Sequence, residues 1–125
     1  MHVPEKLKYS NDHEWVSLDG DVATVGITDY AQGELGDLVF VELPDIGSTV
    51  SQGESFGTIE AVKAVSDLFA PVSGEVIEVN GALTSDPEIV NKDPYGDGWM
   101  VKVRVSDAGE LDALLDANGY KSIIS

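Results

Sequence analysis

The chain has 125 residues, 42% of them apolar, with 7 Lys+Arg against 23 Asp+Glu and no cysteine. That is enough apolar material for one domain over residues 1–125 to fold without metal or disulfide support. The net charge of −16 excludes nucleic acid as a partner and favours basic protein faces, and the lack of cysteine excludes disulfide frameworks, zinc ribbons, Fe–S clusters and thiol nucleophiles.

The chain opens on Met1-His2-Val3-Pro4, with no basic start leading into an apolar stretch and no amphipathic Arg/Ser-rich segment. Neither a secretory signal nor a transit peptide is read there. The expected location is a bacterial cytoplasm, or the mitochondrial matrix only if a transit peptide has been removed. Downstream the dominant pattern is alternation with a period of two. Val22–Ile27 and Leu38–Leu43 read as strands, and Thr28 caps a short helix through Leu35 with Gly36 at its stop. Phe56–Ala61 and Leu68–Ala70 read as two strands facing each other across a short turn, and Glu75–Val79 alternates again. The acidic stretch Asn80–Gly98 allows one helical turn at Asp86-Pro87. Trp99–Val105 alternates most clearly, with Trp99, Val101, Val103 and Val105 inward and Lys102 and Arg104 outward. A C-terminal helix is expected from Asp107, which forms a capping-box pair with Glu110, carries an apolar stripe of Leu111, Leu114 and Leu115, and stops at Asn118-Gly119. Many short strands separated by Gly, Pro and Asn turns indicate a mainly β sandwich or barrel.

One residue departs from this pattern. Lys63 lies between apolar neighbours in Glu60-Ala61-Val62-Lys63-Ala64-Val65, at the tip of the expected hairpin. Exposed turns usually take Gly, Asn or Asp. A hairpin tip holds an amine in solvent on a stiff base, where a modifying enzyme reaches it and an attached arm can swing. A solvated turn lysine is the plain alternative from spacing alone.

Glu60-Ala61-Val62-Lys63-Ala64 resembles the lipoyl-attachment motif of the glycine cleavage system H protein family. The resemblance continues in order through His13-Glu14-Trp15, Gly26–Gln32, Leu35–Pro44, Pro71–Val76, Val90–Tyr95 and Gly98-Trp99-Met100, covering about Tyr9 to Tyr120. It implies a flattened lipoyl/biotinyl-type β-sandwich (a barrel-sandwich hybrid) with a short helix in its N-terminal half and a C-terminal helix. It implies lipoic acid in amide linkage to Lys63, with Glu60 and Gly74 recognised by the lipoate-attaching enzyme. It further implies a non-enzymatic shuttle for the aminomethyl group of glycine. A pyridoxal-phosphate decarboxylase (P protein) loads the group, a tetrahydrofolate-dependent aminomethyltransferase (T protein) unloads it, and dihydrolipoamide dehydrogenase (L protein) reoxidises the carrier. Glu14 and Asp67 match positions that line a cleft holding the cargo amine. Asp12 stands where relatives often carry Ser, and Ala61 where many carry Ser. A relay of lipoyl or octanoyl groups to other lipoyl domains is the neighbouring function within the same family.

Other chemistry finds less support. A biotin carrier is disfavoured because Val62-Lys63-Ala64 replaces the Met-Lys-Met pattern that family favours. A stand-alone carboxylate hydrolase would need a pair of set separation and contrasting pKa, which no spacing here singles out. His2 and His13 are too few for a histidine metal cluster, so His13 is expected to pack or to edge a strand. Trp15 and Trp99 are expected in the core. Asp86, Glu88, Asp93 and Asp97 lack EF-hand spacing and read as a solvated loop.

Overall fold

The computed structural model describes residues 2–124. Two antiparallel sheets make up the body. The strands are β1 (Lys8–Tyr9), β2 (Glu14–Asp19), β3 (Val22–Ile27), β4 (Leu38–Glu42), β5 (Thr49–Val50), β6 (Ser55–Ala61), β7 (Val65–Phe69), β8 (Gly74–Val79) and β9 (Val101–Val105). One sheet has the order β1-β2-β3-β9-β8-β5 and the other the order β4-β6-β7. Neither closes into a barrel, and the fold is a flattened β-sandwich.

Alternation decides which side of each strand is buried. Val101 and Val103 of β9 point into a cluster with Val16, Ala23, Val25 and Val76, while Lys102 and Arg104 face outward. Ile59 of β6 and Leu68 of β7 bury against Ile27, Leu38, Val41 and Met100 in a second cluster. Each such side chain contributes about 1.5–3 kcal/mol by leaving water. Trp15 lies across Gly26, its cross-strand partner, where any Cβ would come within 2.8 Å of the indole. The strand tolerates this glycine because the ring takes the place of its side chain.

Helix α1 (Asp29–Leu35) starts and stops as expected. The Thr28 side chain accepts from the Ala31 N–H, and Gly36, at φ 81°, donates its N–H to the Gln32 carbonyl. The acidic stretch after β8 holds two short helices, α2 (Ala82–Ser85) and α3 (Ile89–Lys92), instead of one turn. Buried Leu83 and Val90 anchor them, and the Asn80 amide donates to the Asp97 and Trp99 carbonyls. Asp93 accepts from the Asp97 N–H within this segment.

The C-terminal region corrects the expectation most clearly. Asp107 caps as foreseen, by accepting from the Gly109 N–H. Glu110 does not complete a capping box, because its carboxylate takes the Ser73 N–H at 2.7 Å and the Ser73 hydroxyl at 2.7 Å. Only a 3₁₀ segment forms, over Ala108–Ala113, and Leu114 is already extended. Leu115 then bridges Tyr9 through two backbone bonds. The true C-terminal helix, α4 (Ala117–Ile124), begins beyond that bridge and runs through Asn118-Gly119. Trp99 is also corrected. It lies before β9 and is half-buried, with the Lys102 ammonium 5.2 Å from its ring, whereas Trp15 is buried as expected. Among the described residues no helix is long and apolar enough to cross a membrane.

Candidate functional site

Strands β6 and β7 pair from Ser55↔Phe69 to Glu60↔Val65, and the Ala61 N–H closes the turn on the Ala64 carbonyl. Lys63 stands at that tip, exposed, and no carboxylate lies within 4.0 Å of it among the described residues. Its base is stiff by comparison. The Val62 N–H bonds the Asp37 carbonyl, tying the tip to the α1–β4 corner. Asn91 holds that corner by accepting from the Leu38 N–H and donating to the Gly36 carbonyl and the Gln32 side chain. The Lys63 stem passes over Gly36, where a Cβ would meet its Cε at 3.3 Å.

A cleft of about 260 Å³ lies between β7, α1 and the turn leading into β2. Its apolar floor is Ile27, Leu35, Ile59 and Leu68, and its polar wall includes Asp12, His13, Glu14, Ser66 and Asp67. Sequence reading paired Glu14 with Asp67, and the structure does bring both to this cleft. They differ in kind. Asp67 is exposed and has the outward parity of its strand, cross-strand from Thr58; it borders the cleft because β7 is a free edge.

Glu14 is 2% exposed. Its carboxyl accepts from the Ser10 hydroxyl at 2.6 Å and from the Phe69 N–H at 3.3 Å. Burial nevertheless dominates and pushes its pKa up to about 8, with the nearby Asp12 charge adding to the rise and the hydrogen bonds opposing it. The carboxyl is therefore mostly neutral at pH 7 while the cleft holds no cation.

His13 was expected as a packing residue. It packs, and it is also part of the cleft wall. Its φ of 69° is the one positive value found at a non-glycine residue among those described. The conformation is fixed on three sides. Its N–H bonds the Ser10 carbonyl, its carbonyl accepts from the Thr28 N–H, and its Nδ1 lies 2.9 Å from the Tyr120 hydroxyl. The Tyr120 hydroxyl in turn lies 2.6 Å from Thr28 Oγ1, which already accepts from the Ala31 N–H. The three groups form one hydrogen-bonded chain whose direction follows the imidazole tautomer. With the ring proton on Nε2, Thr28 donates to Tyr120 and Tyr120 donates to His13 Nδ1; with it on Nδ1, both bonds reverse. Burial lowers the His13 pKa against the opposing pull of Asp12 and Glu34, which favours this neutral ring. The Tyr120 pKa is raised to about 12, mainly by burial, so its hydroxyl keeps its proton.

Glu60 is half-buried on the outer face of the three-stranded sheet. Gly74 is elsewhere, buried at the start of β8 in the other sheet. A Cβ there would run into the Arg104 carbonyl oxygen and approach Val103 Cγ1 to 2.8 Å. Packing alone therefore demands glycine at that position. Sequence reading missed Ser10, Tyr30, Tyr120 and Asn91. Tyr120 lay beyond the expected end of the last helix, and Asn91 sat in a stretch read as loop.

Fold and site together define a small β-sandwich that presents one unpaired lysine on a stiff hairpin beside an acidic, apolar-floored cleft. The chain belongs to the glycine cleavage H-protein family, whose family model matches residues 7–125. It is 59% identical to the glycine cleavage system H protein of Bacteroides fragilis, over 100% of this chain and 99% of that one. It is 57% identical to the Staphylococcus carnosus protein of the same description, over 99% and 98% of the two chains. A crystal structure of a glycine cleavage system H protein from Mycobacterium marinum superposes with a TM-score of 0.88 at 46% identity, covering 96% of this chain and 97% of that one.

Proposed function

We propose that this protein is the lipoyl-bearing shuttle of a glycine cleavage system, with lipoic acid in amide linkage to Lys63. In this role it carries the aminomethyl group of glycine from a PLP-dependent decarboxylase to a tetrahydrofolate-dependent aminomethyltransferase, and dihydrolipoamide dehydrogenase then reoxidises it. The protein is not itself an enzyme, and the bacterial relatives support a cytoplasmic setting. The observation that carries this reading is the exposed, unpaired Lys63 amine on a braced hairpin next to a cleft walled by Glu14 and Asp67.

The residues present fit the group. The amine is open to acylation, the cleft floor is apolar, and a cysteine-free chain has no thiol to compete. When bound, the dithiolane supplies reversible disulfide chemistry that no side chain here can perform. The hairpin keeps an attached arm at high local concentration near each partner without tight docking.

Glu14 and Asp67 hold the cargo ammonium in the cleft. Arrival of that cation stabilises the Glu14 carboxylate and lowers its pKa from about 8, so Glu14 releases a proton as the cleft fills. The apolar floor excludes water and slows loss of ammonia from the cargo. Glu60 acts in recognition by the attaching enzyme directly from the sheet face, and Gly74 acts through the backbone path that its missing Cβ permits.

The test is intact mass and peptide mapping after expression with lipoate and its ligase. The expected result is a gain of one lipoyl group on the Lys63 peptide, followed by an aminomethyl gain on adding the decarboxylase and glycine. An unmodified Lys63 peptide would end this reading.

A further inference from the structure

Four exposed apolar side chains surround the Lys63 hairpin: Val62 (78% exposed), Val65 (67%), Val39 (53%) and Phe40 (44%). Their placement follows from the strand register. Phe40 pairs with Glu60, and Glu60 pairs with Val65, so the three form one row across the outer face of the β4-β6-β7 sheet. With strands about 4.8 Å apart, the row spans roughly 10 Å. Glu42, Thr58 and Asp67 form the next row on that face. The register shift between Leu38 and Phe40 makes Val39 an extra residue, so two consecutive apolar side chains of β4 are left outside. Without the bulge, one of the two would turn inward.

We propose that this face is the docking surface for the enzyme that acylates Lys63, a protein that offers an apolar socket rimmed by arginine or lysine. The inference rests on the reading of Lys63 as the acylated residue. Two arguments choose this occupant. The first is reach. Partners that use a loaded arm can work at the arm's length, but the attaching enzyme must bring its own centre to the ε-nitrogen. Its footprint therefore includes the hairpin and the row one residue behind it. The second is charge. Lys63 is the only Lys or Arg between Tyr9 and Asn91, and the other charged groups on this face are Glu42, Glu60 and Asp67. A second copy of the chain, at −16, would bring the same acids against them, whereas a cationic rim would complement them.

The experiment uses the full, unmodified chain with lipoate–protein ligase, lipoate and ATP, reading the initial rate of Lys63 acylation against carrier concentration. The Phe40→Ser/Val65→Ser double variant is expected to raise KM at least about tenfold while kcat stays within about twofold, as for the loss of an anchoring contact. Ile46→Ser, which removes an equally exposed apolar residue (63%) from a distant turn, is expected to match the wild type. Val65→Lys changes the same face without touching the core and moves KM in the same direction, should the double variant fold poorly. Raising the salt concentration is expected to raise the wild-type KM. Wild-type chain that stays unmodified at Lys63 removes the reading underneath. Wild-type chain that is acylated, with the Phe40 and Val65 variants unchanged, overturns the docking surface alone. Salt independence overturns the cationic rim. A wild-type dimer by light scattering that the double variant converts to monomer assigns the face to a second copy and also overturns the proposal.

Discussion

The two sides of the cleft are built to opposite specifications. On the Lys63 side the chain ends in an exposed amine, flanked by apolar side chains that cover nothing, on a base pinned by Asn91 and the Val62–Asp37 bond. On the Glu14 side almost every polar atom has a partner. Ser10 turns back on Glu14, Thr28 and Tyr120 clamp His13, and no buried side-chain N or O atom is left without a hydrogen bond among the described residues. On the function proposed above, the contrast separates two tasks. A group that must travel needs an attachment point with nothing to break on leaving, whereas a pocket that must hold a cation through the journey needs atoms that cannot relax away.

Lys63→Arg should give the largest effect and should fall on one side only. Arginine cannot form the lipoyl amide under the ligase, so the mass gain disappears and glycine-dependent turnover of the reconstituted system drops to background. The melting temperature should stay within about 1 °C, because an exposed residue without an ion pair contributes little to folding. Loss of stability on this change would mean that the tip is not free. Asn91→Ala attacks the base of the same hairpin. It removes the bonds to Leu38, Gly36 and Gln32 and should cost about 3 kcal/mol, lowering Tm by roughly 10 °C in a thermal scan, while acylation of Lys63 persists.

Glu14→Gln tests the other side through pH. The folded-state pKa of Glu14, about 8, lies above the value of 4.5 for a free glutamate. Below pH 4.5 the carboxyl is protonated in both states and its contribution does not vary. Between about 4.5 and 8 the unfolded chain gives up the proton while the folded one keeps it, so stability declines as pH rises. Above 8 the loss is complete. Wild-type Tm should therefore fall relative to Glu14→Gln between pH 5 and pH 9 by at least about 4 °C, the shift that ~1 kcal/mol produces in a domain near this size. Parallel curves would show that Glu14 is ionised in the empty cleft. Loading the ammonium cargo should flatten the wild-type curve toward that of the variant.

What the sequence made legible, and what it hid, also divides between the two sides. The hairpin was readable because strand alternation and the Lys63 exception are local signals, and Thr28 and Gly36 were readable because caps are chosen by their own turn of chain. The Val39 bulge was not, since a bulge is fixed by pairing with β6 and leaves the local pattern of β4 unchanged. The C-terminal helix was misplaced because the Leu111, Leu114 and Leu115 spacing suits a helix, yet Leu115 is worth more as a bridge to Tyr9, and Glu110 as a ligand for Ser73. These gains come from residues distant in sequence. The same displacement hid Tyr120, and with it the reason His13 can hold a left-handed backbone.

Tyr120→Phe gives the finest view of that corner. The ring remains, so its stack on Tyr9, with centroids 4.6 Å apart and planes inclined by 12°, should survive. The hydroxyl goes, leaving the fully buried Thr28 hydroxyl and His13 Nδ1 each without this partner. The expected cost is about 1–2 kcal/mol. Stability alone would not distinguish a relay from plain packing, but the imidazole does. In the wild type, 15N shifts of His13 should show a single tautomer, with the proton on Nε2 if Tyr120 donates to Nδ1. In the variant the ring should sample both tautomers, and its pKa should change as Nδ1 becomes free to take a proton. A wild-type ring already protonated on Nδ1 would reverse the direction of the whole Thr28–Tyr120–His13 chain, and the C-terminal helix would then brace the cleft by shape alone.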